Sequence, residues 1–114
     1  MNQQPKRLPT YTRDAEGHPI AVVPLARGGS ATIDAQDLED LLQRGLTLNW
    51  TFNLSGGGDY AYVRAKTPEN LVSIGRMVTG ARPGEAVKYR NGDRRDLRRG
   101  NLYVTNGGRK KRAA

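Results

Sequence analysis

The chain has no cysteine and a single histidine. Without thiols there is no disulfide, no thiolate metal site and no cysteine nucleophile, and His18 alone cannot assemble a zinc centre. Long apolar runs are missing too. No window approaches the ~20 apolar residues of a membrane span, and the opening "MNQQPKRLPTYTRD" lacks the apolar core of a secretory signal. These absences lead to the expectation of a soluble, cytoplasmic protein with no membrane partner, no metal and no other cofactor. Aromatic residues make up 6% and hydrophobic residues 36% of 114 positions, against 14 glycines, so the core must be modest and the connections many. That length fits one domain.

Acidic residues are scarce in one place. Residues 76–114 hold twelve Lys/Arg and three Asp/Glu, a net of +9, whereas residues 1–75 hold seven and eight, a net of −1. Segregation of this kind creates a local positive potential that attracts phosphate or sulfate polymers, where a surface charged only for solubility would mix its signs.

Pro5, Pro9 and Gly17 among polar residues mark 1–18 as a flexible N-terminal arm. "PIAVVPL" (19–25) reads as a strand, with Pro24 suggesting an edge position, and "ATI" as its return. "DAQDLEDLLQRG" predicts a helix. Asp34 can cap it, Asp37 and Glu39 suit its first turn, Gly45 can end it, and Leu38, Leu41 and Leu42 share its core face. "LTLNWTFNL" and "DYAYVRA" flank "SGGG" as an antiparallel hairpin, with Leu46, Leu48, Trp50, Phe52 and Leu54 on one face. "SGGG" lacks the Gly-Lys-Ser/Thr ending of a phosphate loop. "ENLVSIGRMVTG" predicts a short second helix with Leu71, Ile74 and Val78 inward and Gly80 closing it. Two short strands, "AVKY" and "NLYVT", then bracket the loop "RNGDRRDLRRG", and a basic tail occupies 107–114. In the loop, "NGD" suits a tight turn with Gly92 at positive φ, Asn101 can bond across to hold the strands together, and Asp96 can tie back an arginine.

The stretch "VKYRNGDRRDLRRGNLYV", Val87 to Val104, resembles the HNH endonucleases of the ββα-metal type common in phages and mobile elements. Their pattern, V-D-H-I-N-G-D-x-x-D-N-R-x-x-N-L-R-V-x-T, keeps its spacing here without a gap from Val87 to Val104. The segments "VVPLARGGSATIDAQDLEDLL", "NWTF", "DYAYVRA" and "VSIGRMVTG" are similar to the lead-in of such proteins. The resemblance implies an HNH-like domain over 19–106. It also implies that the catalytic letters have changed. Lys88 stands where the family has a metal-binding Asp, Tyr89 where it has the water-activating His, and Gly75 where the lead-in has another His. Only nine residues follow Thr105, too few for the family's full metal-binding helix. An ammonium at a ligand position repels Mg²⁺, and a phenol with a pKa near ~10 is a poor base at neutral pH.

Arg90, Arg94, Arg95, Arg98 and Arg99 lie within ten residues, and so short a loop is expected to gather them on one surface. Planar guanidinium forks suit phosphate. Lys88 adjoins them, and Arg109, Lys110, Lys111 and Arg112 add charge in the tail. If five or six such groups met duplex phosphates, log affinity would fall against log salt with a slope of about −5, roughly a thousandfold loss from about 50 to about 200 mM.

The expected fold is α+β: a small antiparallel sheet, one or two short helices and a C-terminal two-stranded finger. The expected function is non-catalytic binding of nucleic acid, DNA before RNA, through these ten cations. Two other readings stay open, a binder of heparin-like polyanions or of an acidic protein, and a divergent metal-dependent nicking endonuclease.

Overall fold

The computed structural model describes residues 8–53, 62–67 and 70–106. Strands β1 (Thr10–Arg13), β2 (Pro19–Pro24) and β3 (Ser30–Asp34) form an antiparallel sheet in the order β1-β2-β3. Gly28 and Gly29, at φ 110° and 75°, make the turn between β2 and β3 in conformations that L side chains rarely adopt. Two expectations change here. Residues 10–13 of the expected arm are a strand, because Thr10, Tyr11 and Thr12 face the open side of the β-branched run on β2. β2 is therefore central and not an edge. Pro24 is tolerated because β1 pairs only as far as Val22, so the missing N–H falls beyond the ladder on that side.

Helix α1 (Ala35–Gln43) follows β3 directly and buries Leu38 and Leu41 as its spacing requires, with Leu42 half-buried against the same core. Gly45, at φ 92°, lets the chain leave. Asp34 makes no side-chain cap bond, since its carboxylate is engaged elsewhere, and Asp37 is the acidic residue of the first turn.

Strands β4 (Trp50–Asn53), β5 (Tyr62–Lys66) and β6 (Leu71–Ser73) make a second antiparallel sheet in the order β4-β5-β6. Trp50 pairs with Ala65 and Phe52 with Val63, as the alternation of apolar residues predicts. The "SGGG" turn, Leu54 and Tyr60 lie outside the described residues. The expected second helix is shorter than its pattern suggested. Leu71–Ser73 joins the sheet, with Leu71 47% exposed, and helix α2 (Ile74–Thr79) starts only at the Ser73 cap, whose Oγ accepts from the Arg76 N–H at 3.3 Å.

Strands β7 (Ala86–Tyr89) and β8 (Leu102–Thr105) form the two-stranded finger. The α+β class is as expected, but three small sheets share the work of one. A common core joins them: Val23, Ile33, Leu38, Leu41, Trp50, Val63, Ile74 and Leu97 are all under 2.5% exposed. No helix among the described residues is long and apolar enough to cross a membrane.

Candidate nucleic-acid interface

The loop between β7 and β8 is built from its own polar side chains. Gly92 takes φ 78° and donates to the Tyr89 carbonyl at 3.0 Å, closing the expected turn. Asn101 ties the loop ends together. Its Oδ1 accepts from the Asn91 N–H at 3.0 Å, its Nδ2 donates to the Asp96 carbonyl at 2.9 Å, and its own carbonyl accepts from Arg90 at 2.8 Å. Burial of Asn101 is affordable because both ends of its amide are satisfied.

The loop also docks on the outer edge of β3. Thr32 donates to the Arg95 carbonyl at 2.9 Å, Leu97 donates to the Thr32 carbonyl at 2.7 Å, and Thr32 and Asp96 make a parallel bridge. An edge strand is thereby covered. Leu97, the one aliphatic residue in "RNGDRRDLRRG", is fully buried, which contributes about 2 kcal/mol to this docking.

The five arginines divide by the partners they find. Arg98 is held by carboxylates: its Nε and Nη2 donate to Asp96 at 2.8 and 2.6 Å, and its Nη1 donates to Asp14 at 3.2 Å. Arg99 donates through Nε to both Asp37 oxygens at 3.0 and 2.9 Å, while its backbone N–H reaches the Asp34 carboxylate at 3.0 Å. The bonds to Asp96 and to Asp37 respectively raise the pKa of each guanidinium above its ordinary value. Burial pushes the Asp96 carboxyl up, but bonds from Arg98 and Asn91 outweigh it and hold the group below the usual carboxylate range. Asp14 is lowered by the His18 and Glu16 backbone N–H groups and by Arg98, against the effect of desolvation.

The other three arginines lie over rings. Arg90 sits 4.8 Å from the Tyr103 centroid, Arg94 5.5 Å from Tyr89 and Arg95 4.1 Å from Phe52. Stacking uses the face of a guanidinium and not its edge donors. Lys88 and Tyr103 are opposite one another across the finger and exposed, so Lys88, Arg90 and Tyr103 share its outer face. Among the described residues, Lys88, Arg90 and Arg95 make no ion pair. Arg109, Lys110, Lys111 and Arg112 lie outside the described residues.

The family's metal does not fit this finger. Lys88 points outward, and a Cβ built on Gly75 would lie 3.1 Å from the Tyr89 hydroxyl and 3.3 Å from Val87 Cγ1. Tyr89 thus fills the space that a side chain at position 75 would need. Burial raises the Tyr89 pKa, partly offset by the charge of Arg94, so the phenol is protonated at neutral pH.

A cleft of about 840 Å³ lies between the two walls that these ion pairs join. Asp14, Glu16, His18, Asp34 and Asp37 line one side, and Arg90, Asn91, Arg98, Arg99 and Asn101 the other. Asp14, Glu16 and His18 bring ligand atoms within 4.8 Å of one another. Both Asp14 oxygens are already engaged by N–H donors, and His18 is 68% exposed and 3.6 Å from Asp14. Asp96 ties back Arg98 as expected, whereas Asp14 and Asp37, 84 and 62 residues from the arginines they hold, escaped the sequence reading. The clustering of acids before residue 41 was their available signal. No family model, curated protein or solved structure matches the chain.

Proposed function

We propose that the chain is a non-catalytic nucleic-acid-binding protein on a degenerate HNH-type finger, with the backbone of double-stranded DNA as its main ligand. One observation carries this reading: Lys88 and Arg90 project beside Tyr103 on an outer face and, among the described residues, form no ion pair. Arg95, exposed and stacked on Phe52, adds a further cation. The catalytic letters support a binding role, because Lys88 cannot ligate a cation and Tyr89 is a half-buried, protonated phenol packed on Gly75.

Removing Arg98 and Arg99 from the contact set lowers the expected salt dependence. Three phosphate contacts, from Lys88, Arg90 and Arg95, give a slope of about −2.7 and roughly a fortyfold loss from about 50 to about 200 mM. Each tail cation that joins adds about −0.9. The test is a fluorescence-anisotropy titration of labelled random duplex at several salt concentrations, with heparin as competitor. The double variant Lys88→Ala/Arg90→Ala is expected to bind roughly tenfold more weakly with its slope reduced by about 2. Unchanged affinity in that variant, or heparin preferred strongly over duplex, would overturn the proposal in favour of a different polyanion or an acidic protein. Nicking of supercoiled plasmid that needs Mg²⁺ or Mn²⁺ and stops with EDTA would overturn the non-catalytic half.

A further inference from the structure

The finger is not the only basic surface. Strand β5 alternates: Val63 and Ala65 are buried, so Tyr62, Arg64 and Lys66 belong to the opposite face of its sheet. Register places Thr51 and Ser73 on either side of Arg64, and Leu71 beside Lys66. One ring, two cations, two hydroxyls and an exposed leucine therefore share this face, and no described carboxylate joins them.

Arg64 carries a second mark. Its Nε is the one buried side-chain polar atom among the described residues with no hydrogen-bond partner. A desolvated N–H on a cation is an unmet demand for an acceptor, and native proteins rarely leave one unexplained. Ser73 Oγ accepts from Arg76, which leaves its hydroxyl proton to donate.

We infer that this sheet face binds single-stranded nucleic acid, with Tyr62 stacking on a base and Arg64 and Lys66 holding neighbouring phosphates. A ring for a base and cations for the backbone are the two parts that single-strand binding needs. Side chains on one face of a strand repeat every ~7 Å, a spacing on the scale of a stretched nucleotide. A shallow three-stranded face offers nothing to enter a duplex groove, whereas an extended strand can lie flat on it. A sulfated polymer has no base for Tyr62. This surface lies on a different sheet from the finger and does not depend on the finger's role.

The test titrates fluorescein-labelled oligothymidylate and random duplex separately against the full chain and two sets of variants. Lys66→Ala changes an exposed side chain and is expected to keep the fold, which a thermal melt checks; Tyr62→Leu removes the ring. Together they are expected to weaken oligothymidylate binding roughly tenfold and leave duplex binding within about twofold. Lys88→Ala/Arg90→Ala is expected to do the reverse. Loss of single-strand binding in the sheet variants with duplex binding insensitive to the finger variants would support this surface while the finger proposal fails. Oligothymidylate affinity unchanged in Lys66→Ala and in Tyr62→Leu, or heparin displaced by the same substitutions to the same degree, would overturn it.

Discussion

Arg98 and Arg90 are the same residue type eight positions apart in one loop, yet they do different work. Arg98 is wrapped by Asp96 and Asp14, and it fastens the finger to the N-terminal sheet. Arg90 lies over Tyr103 and, among the described residues, forms no ion pair. The difference is set by what the fold brings alongside each side chain. An arginine count therefore overstates a binding surface wherever distant carboxylates are folded against it.

The comparison breaks most sharply at Asp96. Asp96→Ala leaves Arg98 without its main partner and Asn91 without an acceptor in a buried site, and is expected to cost about 3 kcal/mol in urea unfolding. A loss comparable to an exposed pair would mean that Arg98 is no clamp. Gly75→Val comes next. Its side chain would press on Tyr89 and Val87, for a cost of about 2 kcal/mol that should fall by roughly half in a Tyr89→Phe background. Equal costs in both backgrounds would separate the two positions.

Acid is a milder probe. Asp96 and Asp14 have folded-state values below their unfolded ones, so their stabilisation is present above about pH 4 and is lost as pH falls through the lowered values. The urea midpoint should decline below about pH 4, and less steeply in Asp96→Asn. The smallest effect is expected for Asp37→Asn. Arg99 is 63% exposed, so stability should drop by under about 1 kcal/mol. The released guanidinium should then steepen the salt slope for duplex by about 1, converting a clamp into a contact.

Local chemistry was legible before any coordinates. Gly92 at positive φ, Asn101 spanning the loop, the Leu38 and Leu41 face of α1 and the pairing of Trp50 and Phe52 with β5 each follow from spacing or turn type. These features depend on neighbours within a few residues or on a two-residue period, both visible along the chain. Pro24 misled because a proline only requires one strand side to be unpaired, and the sequence does not say where a partner strand stops. The second helix misled because Leu71, Ile74 and Val78 satisfy helical spacing while Leu71 extends a sheet instead.

The sequence by itself determined the turn-forming finger, the segregation of charge and the α+β class. Asp96 beside Arg98 is a local pair, but tertiary structure decided the remaining engagements. Contacts such as Arg98 with Asp14, Arg99 with Asp37 and Leu97 with Thr32 join residues 62 or more apart. No local pattern encodes them, because they form only when the packed core brings the β3 edge, the start of α1 and the basic loop to the same place. There a guanidinium that would otherwise face water meets a carboxylate, and the short-range strength of that charged hydrogen bond fixes its role.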